Sequence, residues 1–171
     1  MQFTVDYDMS ITELLSWGDY NRHTPRHSHE LLSTNFPVAG NGKRELLGQI
    51  LSWDYLQVAV LRAESVGAEL RYPVIQELLA FGTAYPTCQL YSRIVCLGTT
   101  VDRADRRGPT TYFRGAPLPQ PETVTKLIPC LDFEKESSTR TARLMPLDSL
   151  RYSSRESVDY LVITDQPIRV A

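Results

Sequence analysis

Apolar and polar positions alternate along "QFTVDY", with Phe3, Val5 and Tyr7 set against Gln2, Thr4 and Asp6. A period of two puts the three apolar side chains on one face and predicts a half-buried strand. In "SITELLSWG", Ser10 and Glu13 stand at capping-box spacing and Gly18 can stop the turn, so a short helix follows. Residues 19–42 are polar and broken by Pro25, Pro37, Gly40 and Gly42. They predict a long loop or arm, pinned by Phe36 and Val38.

"RELLGQILSW" has a mixed period that leaves strand and helix both open. "DYLQVAVLRAESVG" is clearer. Leu56, Val60 and Ala63 recur at helical spacing, Asp54 can cap the start and Gly67 can close the end. Leu70 then sits in a tight link, and Pro73 suits the first turn of a second helix. Along "PVIQELLAFG", Val74, Leu78 and Phe81 share a face, Gly82 fits a left-handed C-terminal position, and Pro86 blocks continuation. Beyond Pro86 the pattern changes to short apolar runs between turn formers, which predicts strands. "RGAPLPQPET", with three prolines, reads as an irregular loop.

Composition narrows the function classes. Of the 171 residues, 42% are hydrophobic and 22% charged, an ordinary balance for a folded domain and unlike that of a disordered chain. A formal net charge of −2 gives no global signal for nucleic acid or an acidic membrane, while leaving local patches open. No apolar run reaches the roughly 20 residues of a membrane helix, and the acidic N-terminus is unlike a secretory leader. Cys88, Cys96 and Cys130 are odd in number and form no CxxC pair, so a reducing cytoplasm and buried thiols are expected.

The stretch "VGAELRYPVIQELLAFGTAYP" resembles a group of small uncharacterised bacterial proteins in which a helix, a glycine, a Pro-containing link and "ELLAFG…YP" follow one another. "MQFTVDYDMSITELLSWGDYN", "NFPV", "RIVCLGT", "KLIPCLDF" and "VDYLVI" continue the resemblance over most of the chain. It departs over residues 101–125, where an insertion is expected. The element order is also similar to that of the C-type-lectin-like fold. That analogy implies a first core strand over residues 45–53, helices over 55–66 and 73–81, and a sheet after Tyr91. It carries no function with it.

Several constellations invite chemistry. His23, His27 and His29 fall within "HTPRHSH" and are the candidate metal ligands. Pro25 spoils a helical pairing of His23 with His27, and a solvated loop is the preferred reading. A Cys–His nucleophile lacks flanking support, because the histidines sit together in one loop. Gln120 and Glu122 resemble part of a lectin calcium motif, but its partner motif is missing from "TARLMPLDSL", leaving too few oxygen ligands. Trp17, Trp53, Tyr55 and Tyr72 are read as core or rim. No cofactor-binding pattern occurs, and no cofactor is expected.

"VDRADRRGPTTYFRG" holds Arg103, Arg106, Arg107 and Arg114 beside Tyr112 and Phe113. Guanidinium forks next to aromatic faces suit protein, phosphate or single-stranded nucleic-acid partners, with Asp102 and Asp105 weakening the last. The sequence therefore predicts one α+β domain over residues 1–171. Its N-terminal strand, helix and arm span 1–42, and a core over 43–171 has two consecutive helices on a mostly antiparallel, twisted, lectin-like sheet. Loops at 101–125 and 134–141 are presented at one edge. The function expected is a non-enzymatic binding module for a protein or small ligand, acting through Arg103, Arg106, Arg107, Tyr112, Phe113 and Arg114. A thiol- or histidine–metal-dependent enzyme and a single-stranded nucleic-acid accessory protein are the alternatives.

Overall fold

The computed structural model describes residues 1–20, 36, 40–105, 112–113, 116–117, 123–151 and 158–165. The chain opens with β1 (Gln2–Asp6), α1 (Ile11–Trp17), β2 (Lys43–Ser52), α2 (Trp53–Val66), β3 (Leu70–Arg71) and α3 (Ile75–Ala84). A 3-10 turn at Pro86–Leu90 leads to β4 (Arg93–Val95), β5 (Val101–Asp105), β6 (Tyr112–Phe113), β7 (Ala116–Pro117), β8 (Thr123–Glu134) and β9 (Thr139–Pro146). A second 3-10 turn, Leu147–Arg151, precedes β10 (Val158–Thr164).

Eight of the strands form one sheet in the order β1-β2-β10-β4-β8-β5, with β3 on β10 and β9 on β8. Every pairing is antiparallel except that of β10 with β4. The α+β class and the mostly antiparallel sheet agree with the sequence expectation. No helix among the described residues is long and apolar enough to cross a membrane.

The sheet is covered on both sides. Leu161 and Ile163 of β10 point into a cluster with α1 and α3, while Tyr160 and Val162 point into a second cluster with α2. Ile94 and Val95 divide in the same way, as do Leu127 and Ile128. A strand buried on both faces reads as a continuous apolar run, and "VDYLVIT" is one. The two helices thus take opposite faces of the sheet and not one layer.

The first helix forms as its sequence predicts. The Ser10 hydroxyl accepts the Glu13 amide at 3.3 Å, and the Glu13 carboxylate accepts the Ser10 amide at 2.7 Å. Phe3, Val5 and Tyr7 face the core, joined by Ile11, Leu14 and Leu15, so the N-terminal strand and helix pack into the body of the fold. Phe36 is buried there as expected, while Val38 lies outside the described residues.

The remaining local expectations are partly met and partly corrected. "RELLGQILSW" is a strand, because β2 fills the place between β1 and β10 and tertiary pairing decides what a mixed period leaves open. Ser52, not Asp54, is the N-cap of α2; Asp54 stands in its first turn. Gly67 does take the left-handed conformation, φ 66°. Leu70 is not in a mere link, since β3 pairs with β10. Pro73 precedes α3, whose first helical residue is Ile75; there the Glu77 carboxylate accepts the Val74 amide at 2.9 Å.

Gly82 lies inside α3 with no positive φ. A Cβ there would run into the Tyr20 hydroxyl and a Leu131 methyl, and would stand 2.9 Å from the Gln89 amide nitrogen. Close approach, and not backbone handedness, is what this position requires. All residues from Ile75 to Gly82 are buried, so α3 is surrounded on every side and has no single apolar face. Arg140 of β9 ties two helix ends together, donating to the Gly82 carbonyl at 3.0 Å and to the Gly18 carbonyl, with its guanidinium 5.0 Å from the Tyr20 ring centre. A cation on those terminal carbonyls complements both helix dipoles.

Neither predicted loop is wholly irregular. Residues 101–105 and 123–125 are strand, and 134–141 close as a tight turn between Glu134 and Thr139, with Ser138 at φ 52°.

Candidate binding surface

β8 is longer than its partners on the sheet require. From Leu127 to Glu134 it pairs with β9, and at Cys130 and Leu131 it also pairs with β4. Its first residues run beyond this body and pair with β5, placing Asp105 opposite Thr123 and Arg103 opposite Thr125. Burial falls along the same path. Leu127 to Leu131 are buried, Thr125 is half-buried and Lys126 is exposed. β5 and the start of β8 therefore make a two-stranded ribbon leaving the core, and residues 106–122 of the chain connect its two strands.

Within that connection β6 and β7 pair as a second, two-stranded sheet, Tyr112 opposite Pro117 and Phe113 opposite Ala116. Arg103, Tyr112 and Phe113 thus stand on strands of the ribbon and its appended hairpin. Arg106, Arg107 and Arg114 lie outside the described residues, as do His23, His27, His29, Gln120 and Glu122.

The thiols are poor nucleophiles. Burial pushes Cys96 up to about 12 and Cys130 up to about 11, and partial burial also raises Cys88. Reactive cysteines need the opposite shift. The Cys96 thiol donates to the Pro73 carbonyl at 2.7 Å, which anchors the turn leading into α3. Among the described residues no group of three or more His, Cys, Asp and Glu side chains could hold a metal.

One buried polar network was not foreseen from sequence. Glu77 is almost wholly buried, and its carboxylate accepts from the Tyr7 hydroxyl, from both ends of the Arg71 guanidinium and from the Val74 amide. Four donors engage its two oxygens, so Glu77 is a structural group that joins its neighbours and is not exposed to a substrate. Its signal in the sequence is a lone charge inside the apolar run "VIQELLAFG", which must find partners if the run is buried.

A groove of about 530 Å³ opens between β1 and α1, lined by Thr4, Asp6, Met9, Glu13, Trp17 and Lys43 among others. Trp17 is 56% exposed there, while Trp53 packs on Tyr160 at 5.4 Å between ring centres. The aromatics Trp17 and Trp53 are rim residues of different surfaces, as expected.

Comparison with known proteins finds no matching family model, no matching curated protein and no matching solved structure.

Proposed function

We propose that this chain is a non-enzymatic binding module that holds a protein or small-molecule partner through the segment carried by the β5–β8 ribbon. Arg103, Arg106, Arg107, Tyr112, Phe113 and Arg114 are its contact residues. The observation that carries this reading is the register of β8, whose residues before Leu127 pair with β5 and have left the β9 side of the sheet. Recognition segments are commonly mounted in this way on a rigid sheet, since backbone pairing fixes the base while the tip is free to vary. Four arginines and two aromatics in a chain of net charge −2 supply the chemistry for such contacts. A lectin-like layout, with a long connection bearing the ligand surface, is the architectural comparison we retain.

The raised thiols argue against the cysteine-enzyme alternative. The test is a quantitative pull-down from cells that naturally express the chain. The combined variant Arg106→Ala, Arg107→Ala and Tyr112→Ala should lose the captured partner while melting within a few degrees of wild type. Unchanged capture would remove these residues from the contact surface.

A further inference from the structure

The groove between β1 and α1 lies at the other end of the strand order from the ribbon. β1 turns Phe3 and Val5 inward, which leaves Thr4 and Asp6 on its outer side. α1 buries Ile11, Leu14 and Leu15, which leaves Glu13, Ser16 and Trp17 outward. The half-buried Met9 connects the two elements and packs against the core beneath. An exposed indole thus shares one concave surface with two carboxylates.

We infer that this groove binds the lysine or arginine side chain of a partner polypeptide, its cation between the Trp17 indole and the Asp6 carboxylate. Indole is the strongest aromatic partner for a cation, and the apolar stem of such a side chain can lie along Met9 and the ring. A wholly apolar occupant would strip water from Asp6 and Glu13 without replacing it. An anion would meet both carboxylates. A calcium ion would need six or more oxygens, and here Asp6 Oδ1 already accepts the Asp8 amide and Glu13 Oε2 the Ser10 amide and hydroxyl, which leaves too few side-chain oxygens uncommitted.

The chain itself already brings a cation to this place. Lys43 lies opposite Asp6 in the β1–β2 register, with its ammonium 3.7 Å from Asp6 Oδ2. That separation is longer than a direct hydrogen bond, and the Lys43 side chain is 74% exposed, so it is loosely held and can be displaced. Glu13 is bound to Ser10 through Oε2, which keeps the second negative charge fixed at the rim.

The experiment is a ¹⁵N–¹H NMR titration of the full chain with N-acetyl-lysine methylamide and N-acetyl-arginine methylamide, with the norleucine analogue as the neutral isostere. Saturable shifts should centre on the Trp17 indole N–H and the amides of Asp6, Met9 and Glu13. The norleucine analogue should bind about tenfold more weakly, the ratio expected if the charge contributes one decade of affinity. Lys43→Gln should tighten binding and Asp6→Asn should weaken it. The inference is overturned if norleucine binds as well as lysine, if the shifts centre elsewhere, or if Lys43→Gln leaves affinity unchanged. It is overturned equally if self-association of the chain, lost in Asp6→Asn, accounts for the shifts, because a second copy is then the occupant. The comparison of lysine with norleucine on the wild-type chain needs no variant to overturn the inference, and its outcome is independent of the ribbon.

Discussion

Arg71 and Glu77 meet as a two-pronged ion pair, each outer guanidinium nitrogen 2.7 Å from a carboxylate oxygen. The pair joins β3 to the first turn of α3, and the Tyr7 hydroxyl closes it from the turn that follows β1. Two neighbouring elements and a turn 70 residues away in sequence are locked at one buried carboxylate.

Arg71→Ala should therefore destabilise the fold, because Glu77 keeps its burial and loses two of its four donors. About half of the Arg71 side chain is exposed, which limits the loss to the unsatisfied-group range, on the order of 1–3 kcal/mol. Urea unfolding of the variant measures it. A midpoint equal to wild type would show that water replaces the guanidinium without cost.

Alkaline pH should weaken the fold in two stages. A thiol or phenol whose folded pKa lies above its unfolded value stabilises the protonated, folded state, and that stability is lost as pH rises between the two values. Cys130 moves from 9.0 to about 11 and Cys96 from 9.0 to about 12, both chiefly by burial. Tyr20 moves from 10.0 to about 12 by burial, and Tyr7 does so by burial reinforced by its bond to Glu77. Thermal stability should fall from about pH 9 with the thiols and more steeply from about pH 10 with the phenols. Tyr7→Phe should flatten the slope above pH 10, and an unaltered slope would contradict the network.

Glycine-to-alanine substitutions at two positions should fail for different reasons. At Gly82 the new methyl meets Tyr20 and Leu131, a steric cost of about 1–3 kcal/mol that outweighs alanine's better helix propensity. At Gly67 nothing lies within 4 Å, and the cost, about 1–2 kcal/mol, comes from φ 66°. Pairing Gly82→Ala with Tyr20→Phe, which removes the colliding hydroxyl, should recover part of the first loss. Tyr20 does not contact Gly67, and Gly67→Ala should gain nothing from it.

These glycines show what was legible in the sequence. Gly67 follows an amphipathic run and needs only local geometry, so its left-handed role could be read directly. Gly82 stands at the same place in its own run, but its role depends on Tyr20 and Leu131, which lie 62 and 49 residues away and which no local pattern can assign. The capping box of Ser10 and Glu13 and the alternation of Phe3, Val5 and Tyr7 were likewise local and readable. The strand assignment of β2, the division of α2 and α3 between two sheet faces, and the Arg71–Glu77–Tyr7 lock all depend on distant pairing. The ribbon was half visible. Its basic and aromatic residues stood out, whereas the pairing of β5 with β8 did not, because 17 residues separate the two strands.

Native-state labelling should distinguish the three thiols. Cys88 is half-buried, while Cys96 and Cys130 are fully enclosed, so an alkylating reagent at neutral pH should modify Cys88 first. Peptide mass spectrometry after brief exposure reads the order. Faster labelling of Cys96 or Cys130 would contradict their enclosure and restore the thiol-enzyme reading.

The most direct measurement follows from the Asp105–Thr123 register at the outer end of the ribbon. Residues 106–122 are replaced by an Asn-Gly turn, which suits a two-residue connection between antiparallel strands, and capture of the native partner is compared with wild type. The account predicts a chain that melts close to wild type and captures nothing. A shortened chain that still holds its partner, or one that no longer folds, would contradict it.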